Sequence, residues 1–172
     1  MRIYLVGYMG SGKSTLGLAL AEALGICWVD LDDEFESRYK ITISDFFAKY
    51  GEIVFRDIEH KLLTEISYRT DIVVSTGGGA PCYHDNMKLM NETGVTVYLS
   101  AAPELLISRL EISARKRPVL QQMKGENFSK NLIHHLESRE LFYTQATFTT
   151  DAVNPDISEL KSLILNYYTP IF

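Results

Sequence analysis

The stretch Gly7-Tyr8-Met9-Gly10-Ser11-Gly12-Lys13-Ser14 decides the fold of this chain, because it fits the pattern G-x-x-x-x-G-K-S/T. An apolar run over residues 3–6 precedes it and a helical pattern over residues 13–24 follows it, which predicts a strand, a phosphate-binding loop and a helix. Glycines allow the backbone N–H groups of such a loop to curl around phosphates, while Lys13 supplies positive charge and Ser14 a hydroxyl for Mg²⁺. The sequence therefore predicts a protein that handles a nucleoside triphosphate.

Length, composition and charge limit the class of protein further. The 172 residues, 46% of them hydrophobic, suffice for a substantial core, and we expect a single domain over residues 1–172. The net charge of −5 argues against a general nucleic-acid binder or a membrane-surface protein, since either normally carries a basic excess. No apolar run has the length of a membrane span or of a signal-peptide core. We therefore expect a soluble cytoplasmic protein, and the acidic composition favours a monomer.

Short β-rich runs recur along the chain and alternate with helical segments, a pattern that predicts a parallel sheet wrapped by helices. The runs cover residues 3–6, 27–29, 72–74, 95–99 and 148–150. A longer helical insert, over about residues 31–69, lies between the second and third runs and is expected to break at Gly51. Residues 111–127 are polar and lack clear periodicity, so we predict a lid that closes over phosphates, with an ordinary solvated loop as the alternative.

Two acidic residues follow the second predicted strand, at the sheet edge where ligands bind in open α/β folds. If the backbone stays extended there, Asp30 and Asp32 project from the same side. One carboxylate would then face Mg²⁺ through water, and the other would accept a hydrogen bond, and a proton, from a substrate hydroxyl. The alternative is an acidic helix cap shared with Asp33 and Glu34.

Three further features suit an anionic ligand, although each has an ordinary structural explanation. Arg56 and Glu59 are spaced i, i+3 and are predicted to pair, either within a site or as a surface ion pair. The triple glycine Gly77-Gly78-Gly79 follows the third strand and either lets a ligand approach the backbone closely or forms a flexible turn. Arg139 is either a ligand or a solvated helix charge.

The remaining conspicuous residues receive no role in the site. His134 and His135 are adjacent, so they point to different parts of a helix surface and make a poor chelating pair. Cys27 and Cys82 lack zinc-ligand spacing and are expected to be free thiols. Trp28 and the tyrosines are expected to pack in the core and at its rim.

Further motifs extend this pattern toward the C-terminus: Arg117-Pro118-Val119-Leu120, Arg139 with Tyr143 and Ala146, and Asn154-Pro155. Taken in order with the earlier motifs, the set closely resembles the shikimate kinase family over nearly the whole chain. The resemblance implies an α/β fold of the P-loop, nucleoside-monophosphate-kinase-like type, a three-layer sandwich with a five-stranded parallel sheet and a lid. It also implies transfer of the γ-phosphoryl group of ATP to the 3-hydroxyl of shikimate in aromatic amino-acid biosynthesis, with Mg²⁺ as cofactor.

On the nucleotide side, the resemblance assigns the phosphate loop to ATP. It places Ser14 on Mg²⁺ and Asp30 on the water shell of the metal. Arg117, in the predicted lid, would neutralise the moving phosphoryl group. The residues implied to contact the ATP phosphates are Gly10, Ser11, Gly12, Lys13, Ser14 and Thr15.

On the acceptor side, the resemblance assigns Asp32 to the shikimate hydroxyls as general base. Arg56 and Arg139 would bind the carboxylate, and Gly78 would offer its backbone. This agrees with the chemistry expected for a small anionic polyol, which needs guanidinium groups at one end and a carboxylate at the reacting hydroxyl.

Two departures from the family pattern stand out. Leu141 replaces a proline that is common two residues after the carboxylate-binding arginine, and Val153 stands where many relatives place an arginine against the adenine. Affinity for the nucleotide base is therefore expected either to be weaker or to be supplied by another residue, with Arg109 and Arg115 as the candidates.

Three other functions share the loop and remain open: a gluconate kinase, a nucleoside monophosphate kinase, and a non-catalytic nucleotide-binding regulator. The pair Asp30-x-Asp32, Arg56 and the triple glycine favour a carboxylated polyol as acceptor. Intact Lys13 and Asp32 argue against the regulator.

Overall fold

The computed structural model describes residues 1–113 and 127–169 of the chain. Its centre is a five-stranded sheet in the order β2-β3-β1-β4-β5, in which every neighbouring pair is parallel. The strands are β1 (Arg2–Val6), β2 (Cys27–Asp30), β3 (Ile72–Ser75), β4 (Val95–Ser100) and β5 (Phe148–Asp151). All five predicted strands are therefore confirmed, each within one residue at its ends.

The central strand β1 shows why the sheet is covered on both faces. Residues 3–6 are all completely buried, as expected for a strand in the middle of a parallel sheet. Tyr4 and Val6 belong to one hydrophobic cluster, whereas Ile3 and Leu5 belong to a second cluster on the opposite face. Alternate side chains along the strand thus pack into two separate hydrophobic cores, one on each face of the sheet.

Seven helices in the described part of the chain pack on these two faces. Helices α1 and α7 cover the face of Ile3 and Leu5, while the others cover the opposite face. The predicted three-layer sandwich is confirmed. The helices are α1 (Lys13–Leu24), α2 (Leu31–Tyr39), α3 (Ile43–Ile66), α4 (Asn86–Thr93), α5 (Pro103–Ser113), α6 (Phe128–Tyr143) and α7 (Ile157–Tyr168).

The helical insert between β2 and β3 consists of α2 and α3. Helix α3 is interrupted at Gly51, whose φ of 80° and ψ of 169° are not helical, so the predicted break is confirmed. Aromatic side chains from both helices hold the insert against the sheet: Phe35 of α2 packs edge-on against Phe46 and Phe55 of α3, with ring centroids 5.1 and 4.9 Å away. Most of the predicted lid, residues 114–126, lies outside the described residues.

Within residues 1–113 and 127–169, no helix is both long and apolar enough to cross a membrane.

Candidate active site

The carboxyl ends of β1, β2 and β3 open into one cleft of about 700 Å³. Parallel strands bring the segments that follow them to the same edge of the sheet, which explains why distant parts of the sequence meet here. Ser11 lies in the loop but not on the cleft surface, and Arg117 lies outside the described residues. The predicted residues that line the cleft are Gly10, Gly12, Lys13, Ser14, Thr15, Asp30, Asp32, Arg56, Gly78 and Arg139.

The phosphate loop is shaped by glycines and closed by Lys13. Gly10 and Gly12 have φ of 82° and 105°, a region that other residues rarely adopt. The Lys13 ammonium donates to the carbonyl oxygens of Gly7 and Tyr8 at 2.8 and 2.9 Å, so the charge lies inside the loop. The Ser11 hydroxyl is buried and has no hydrogen-bond partner among the described residues, as expected of a loop built to receive an additional polar group.

A polar chain beneath the loop ties α1 to the sheet. The indole N–H of Trp28 donates to Ser75 Oγ, and the Ser75 hydroxyl donates to the Lys13 carbonyl, both at 3.0 Å. Gly17 lets α1 approach this chain, because a Cβ there would lie 2.5 Å from the Trp28 nitrogen. The hydrogen bond from Ser75 therefore holds the backbone of Lys13 against the sheet.

Ser14 and Asp30 form the part of the site that suits a metal ion. The Ser14 hydroxyl donates to Asp30 Oδ2 at 2.5 Å, so two hard oxygen ligands lie together beside the phosphate loop. Mg²⁺ typically takes only one or two protein groups and completes its shell with water and phosphate oxygens. No group of three or more His, Cys, Asp or Glu side chains able to hold a metal occurs in the described chain. Ser14 and Asp30 thus fit a Mg²⁺ ion bound together with a nucleotide.

The expectation of an extended backbone through Asp30 and Asp32 is wrong. Helix α2 begins at Leu31, and Asp30 is its N-cap, accepting a hydrogen bond from the Asp32 N–H at 3.0 Å. The capping alternative is therefore correct for Asp30, which also contacts Ser14. Asp32 nevertheless lines the same cleft from the first turn of α2, because a helix start turns its side chain back toward the strand end.

Arg56 is buried and held by two carboxylates, which confirms its pairing with Glu59 and excludes a surface ion pair. Its Nη1 donates to Glu59 at 2.7 Å, and its Nη2 donates to Glu52 at 2.9 Å. Only 6% of Arg56 is exposed, and the Tyr83 ring lies 4.4 Å from the guanidinium carbon. With the further bond from Nε to Glu52 at 3.2 Å, three charge-assisted hydrogen bonds and an aromatic face fix the guanidinium before any ligand binds.

Glu59 is the most strongly perturbed acid of the cleft. Burial raises the pKa of its carboxyl to about 7, against the opposing effect of Arg56, and Asp32 raises it further. Its Oε1 atom is buried without a hydrogen-bond partner among the described residues. The carboxyl therefore titrates near neutral pH.

The triple glycine brings backbone against these side chains. A Cβ at Gly77 would lie 2.7 Å from Asp32 Oδ1, and one at Gly79 would lie 2.7 Å from the guanidinium carbon of Arg56. A Cβ at Gly78 would lie 3.0 Å from the Met9 nitrogen. A Cβ would therefore crowd side-chain atoms at Gly77 and Gly79 and would be tight against the backbone at Gly78, which favours close approach over a merely flexible turn.

Helix α6 contributes Arg139 to the lining of the cleft. Arg139 lines the cleft and is only 7% exposed, so it is not a solvated helix charge. One helical turn after Arg139, Tyr143 donates to the Gly78 carbonyl at 2.6 Å, and one turn before it, His135 shares a 2.6 Å hydrogen bond with Tyr8. Leu141, where the resemblance predicts proline, is exposed on an uninterrupted helix.

Several residues with a part in this arrangement were missed or only half anticipated from the sequence. Glu52 holds Arg56, but at i−4 it carries no motif of its own. Tyr83 faces the same guanidinium from beyond the triple glycine. Arg109, expected near the adenine, donates to the carbonyls of Gly10 and Ser11 at 3.1 and 3.0 Å. Arg115 lies outside the described residues, and Val153 is exposed.

A phosphate loop after the central strand of a parallel 2-3-1-4-5 sheet, facing two carboxylates and two buried arginines, defines a kinase of the P-loop class for a small anionic acceptor. The family model of shikimate kinase matches residues 9–167. A shikimate kinase of Parabacteroides distasonis is 47% identical over 168 residues, which are 95% of this chain and 97% of that protein. The chain belongs to the shikimate kinase family.

Solved structures agree with this assignment. The crystal structure of a shikimate kinase from Bacteroides thetaiotaomicron matches with a TM-score of 0.88 and 40% identity, covering 96% of this chain and 98% of that one. A shikimate kinase from Acinetobacter baumannii, solved in complex with shikimate, matches with a TM-score of 0.85 and 36% identity over 97% and 92% of the two chains. The resemblance expected from the motifs is confirmed.

Proposed function

We propose that this chain transfers the γ-phosphoryl group of Mg²⁺-ATP to the 3-hydroxyl of shikimate, as an enzyme of aromatic amino-acid biosynthesis. The observation that carries the proposal is that one cleft is lined both by the phosphate loop and by the buried Arg56 and Arg139, with Asp32 also on its wall. The relative from Acinetobacter baumannii that was solved with shikimate supports this acceptor.

On the donor side, the loop would receive the ATP phosphates. The Lys13 ammonium donates to the Gly7 and Tyr8 carbonyls. With ATP bound, it would also interact with the outer phosphates, where negative charge develops during transfer. Ser14 and Asp30 would hold Mg²⁺, directly and through water. The metal supplies electrostatic stabilisation of the transferring phosphoryl group. Arg117 would add a further positive charge, and Arg109, fixed beside the loop, would lie near the nucleotide base.

On the acceptor side, Arg56 and Arg139 would bind the carboxylate of shikimate. Prior fixation of Arg56 by Glu52 and Glu59 lowers the conformational entropy lost on binding. Asp32 would accept the hydrogen bond, and then the proton, of the reacting hydroxyl. Gly78 would contact the acceptor through its backbone. We further propose that the chain acts as a monomer in the cytoplasm, which its acidic composition supports.

The test is ADP release from Mg²⁺-ATP by the purified chain, with shikimate, gluconate, AMP and CMP as separate acceptors. Turnover that depends on shikimate is the expected result. Turnover selective for gluconate or a nucleotide would retain the P-loop kinase class but refute the acceptor and the roles of Asp32, Arg56 and Arg139. Nucleotide binding without any turnover would favour the non-catalytic regulator.

A further inference from the structure

One face of α6 contacts both halves of the cleft. His135, Arg139 and Tyr143 are spaced by four residues, so they lie above one another on the helix. Tyr143 donates to the Gly78 carbonyl on the acceptor side, and Arg139 lines the cleft. His135 is the member that reaches the donor side, through the side chain of Tyr8 inside the phosphate loop.

The contact between Tyr8 and His135 is short and well oriented. The phenol oxygen lies 2.6 Å from Nδ1 of His135, and the two rings meet edge to face with centroids 5.6 Å apart. Tyr8 is only 1% exposed. Burial raises the pKa of Tyr8 to about 12, and burial together with Arg139 lowers the pKa of His135 to about 4. Both groups are neutral at physiological pH, so the phenol can donate to an unprotonated Nδ1.

Tyr8 also carries the backbone atom that holds Lys13. Its carbonyl accepts from the Lys13 ammonium at 2.9 Å and from the Ser11 N–H at 3.2 Å. A displacement of Tyr8 therefore moves the ammonium that would face the outer phosphates. The same residue thus connects α6, which carries Arg139, with the loop that carries Lys13.

We propose that His135 is a positioning residue for phosphoryl transfer: its hydrogen bond to Tyr8 sets the distance between the donor phosphates in the loop and the acceptor held by Arg139. This inference rests on the proposed function, since it assumes that both substrates occupy the cleft. Misplacement of reacting groups by about 1 Å lowers rates strongly while ground-state contacts persist. The hydrogen bond is therefore expected to act on kcat more than on KM.

The experiment compares kcat and both KM values for the wild-type chain with those of Tyr8→Phe, His135→Phe and the double variant. Tyr8→Phe removes only the phenol hydroxyl, and His135→Phe replaces the imidazole with a somewhat larger ring that has no hydrogen-bonding nitrogen. We expect kcat for shikimate phosphorylation to fall about tenfold in each single variant, with both KM values within about twofold. The double variant should be no slower than the single ones, because all three lose the same bond.

A rescue variant and a matched control separate positioning from structural damage. His135→Asn places an amide oxygen close to the position of Nδ1 and should restore kcat to within about threefold of wild type. The neighbouring His134, whose side chain is 88% exposed, provides the control, and His134→Phe should retain wild-type kcat. Slow hydrolysis of ATP by water, which needs no fixed acceptor, should change less than transfer to shikimate in the Tyr8 and His135 variants.

Three results would overturn the inference: unchanged kcat in Tyr8→Phe, additive losses in the double variant, or a rise in the KM for ATP at constant kcat. Failure of the proposed function is distinguishable, because the wild-type chain itself would then show no turnover with shikimate.

Discussion

Replacement of Gly79 by alanine tests whether the backbone shapes the carboxylate-binding end of the cleft. Gly79 has φ of −89° and ψ of −23°, so alanine adopts this conformation without strain. The added methyl would nevertheless lie closest to Nη2 of Arg56, and 2.7 Å from Cζ and 2.8 Å from Nη1. An ordinary contact begins at 3.4 Å, so the guanidinium carbon has to retreat by about 0.7 Å, the difference between 3.4 and 2.7 Å.

The size of the effect follows from what this displacement disrupts. Arg56 is held by Glu52 and Glu59 and is almost fully buried, so it cannot simply rotate into solvent. Loss of one charge-assisted hydrogen bond to a bound carboxylate costs about 1.5–3 kcal/mol. This corresponds to an increase in the KM for shikimate of about 10- to 150-fold. The KM for ATP should remain close to wild type, because the phosphate loop is not contacted.

Steady-state kinetics with shikimate varied at saturating Mg²⁺-ATP, together with thermal unfolding, measure this effect. Gly25→Ala is the matched control: a Cβ there meets nothing within 4 Å, but φ is +69°. The control should therefore lower the melting temperature and leave the KM for shikimate unchanged. A Gly79→Ala variant with wild-type affinity for shikimate would refute the role given to Arg56 and to the close approach of the backbone.

Three further outcomes are expected. Lys13→Ala should lower kcat by at least about 100-fold, because charge stabilisation at the phosphates is lost; a rate within tenfold of wild type would contradict this role. Asp32→Asn should preserve shikimate binding, measured by calorimetry, yet slow transfer, and near-normal turnover would show that no general base is needed at this residue. Glu59 has its pKa raised from 4.5 to about 7 in the folded chain, so the stability it contributes is fully present below pH 4.5 and lost as pH rises through about 7. The melting temperature of wild type relative to Glu59→Gln should therefore decline from pH 4.5 to pH 8, and a constant difference would contradict the raised pKa.

The fold could be predicted because its signals are local and repeated. Buried parallel strands have short apolar sequences. The phosphate-loop motif also locates the first strand and α1, because it lies directly between them. Residues 13–24 were predicted as a helix and form Lys13–Leu24. The five strands were found for the same reason, since each is an isolated β-rich run between helical segments.

The site was predicted only where a residue belongs to a motif. Helix α2 begins at Leu31, directly after β2, because Asp30 caps it, and the spacing of two acids cannot distinguish this from an extended backbone. Glu52 precedes the triple glycine in the sequence and Tyr83 follows it, yet both contact Arg56. This is a tertiary arrangement that no sequence period indicates. Tyr8 and His135 are 127 residues apart, so their hydrogen bond could not be predicted from either neighbourhood. From the sequence alone, His135 is only one member of an adjacent histidine pair that is poorly placed to chelate a metal.

The two hydrogen bonds from Trp28 through Ser75 to the Lys13 carbonyl give the protein an intrinsic fluorescent reporter. Trp28 is the only tryptophan, and its indole N–H is two hydrogen bonds away from the residue that would meet the ATP phosphates. Indole emission responds to changes in its hydrogen bonding, so nucleotide titrations should alter fluorescence without any label. Shikimate, which we propose is held by Arg56 and Arg139, should leave that signal nearly unchanged. Nucleotide binding could then be followed by fluorescence in the presence of shikimate.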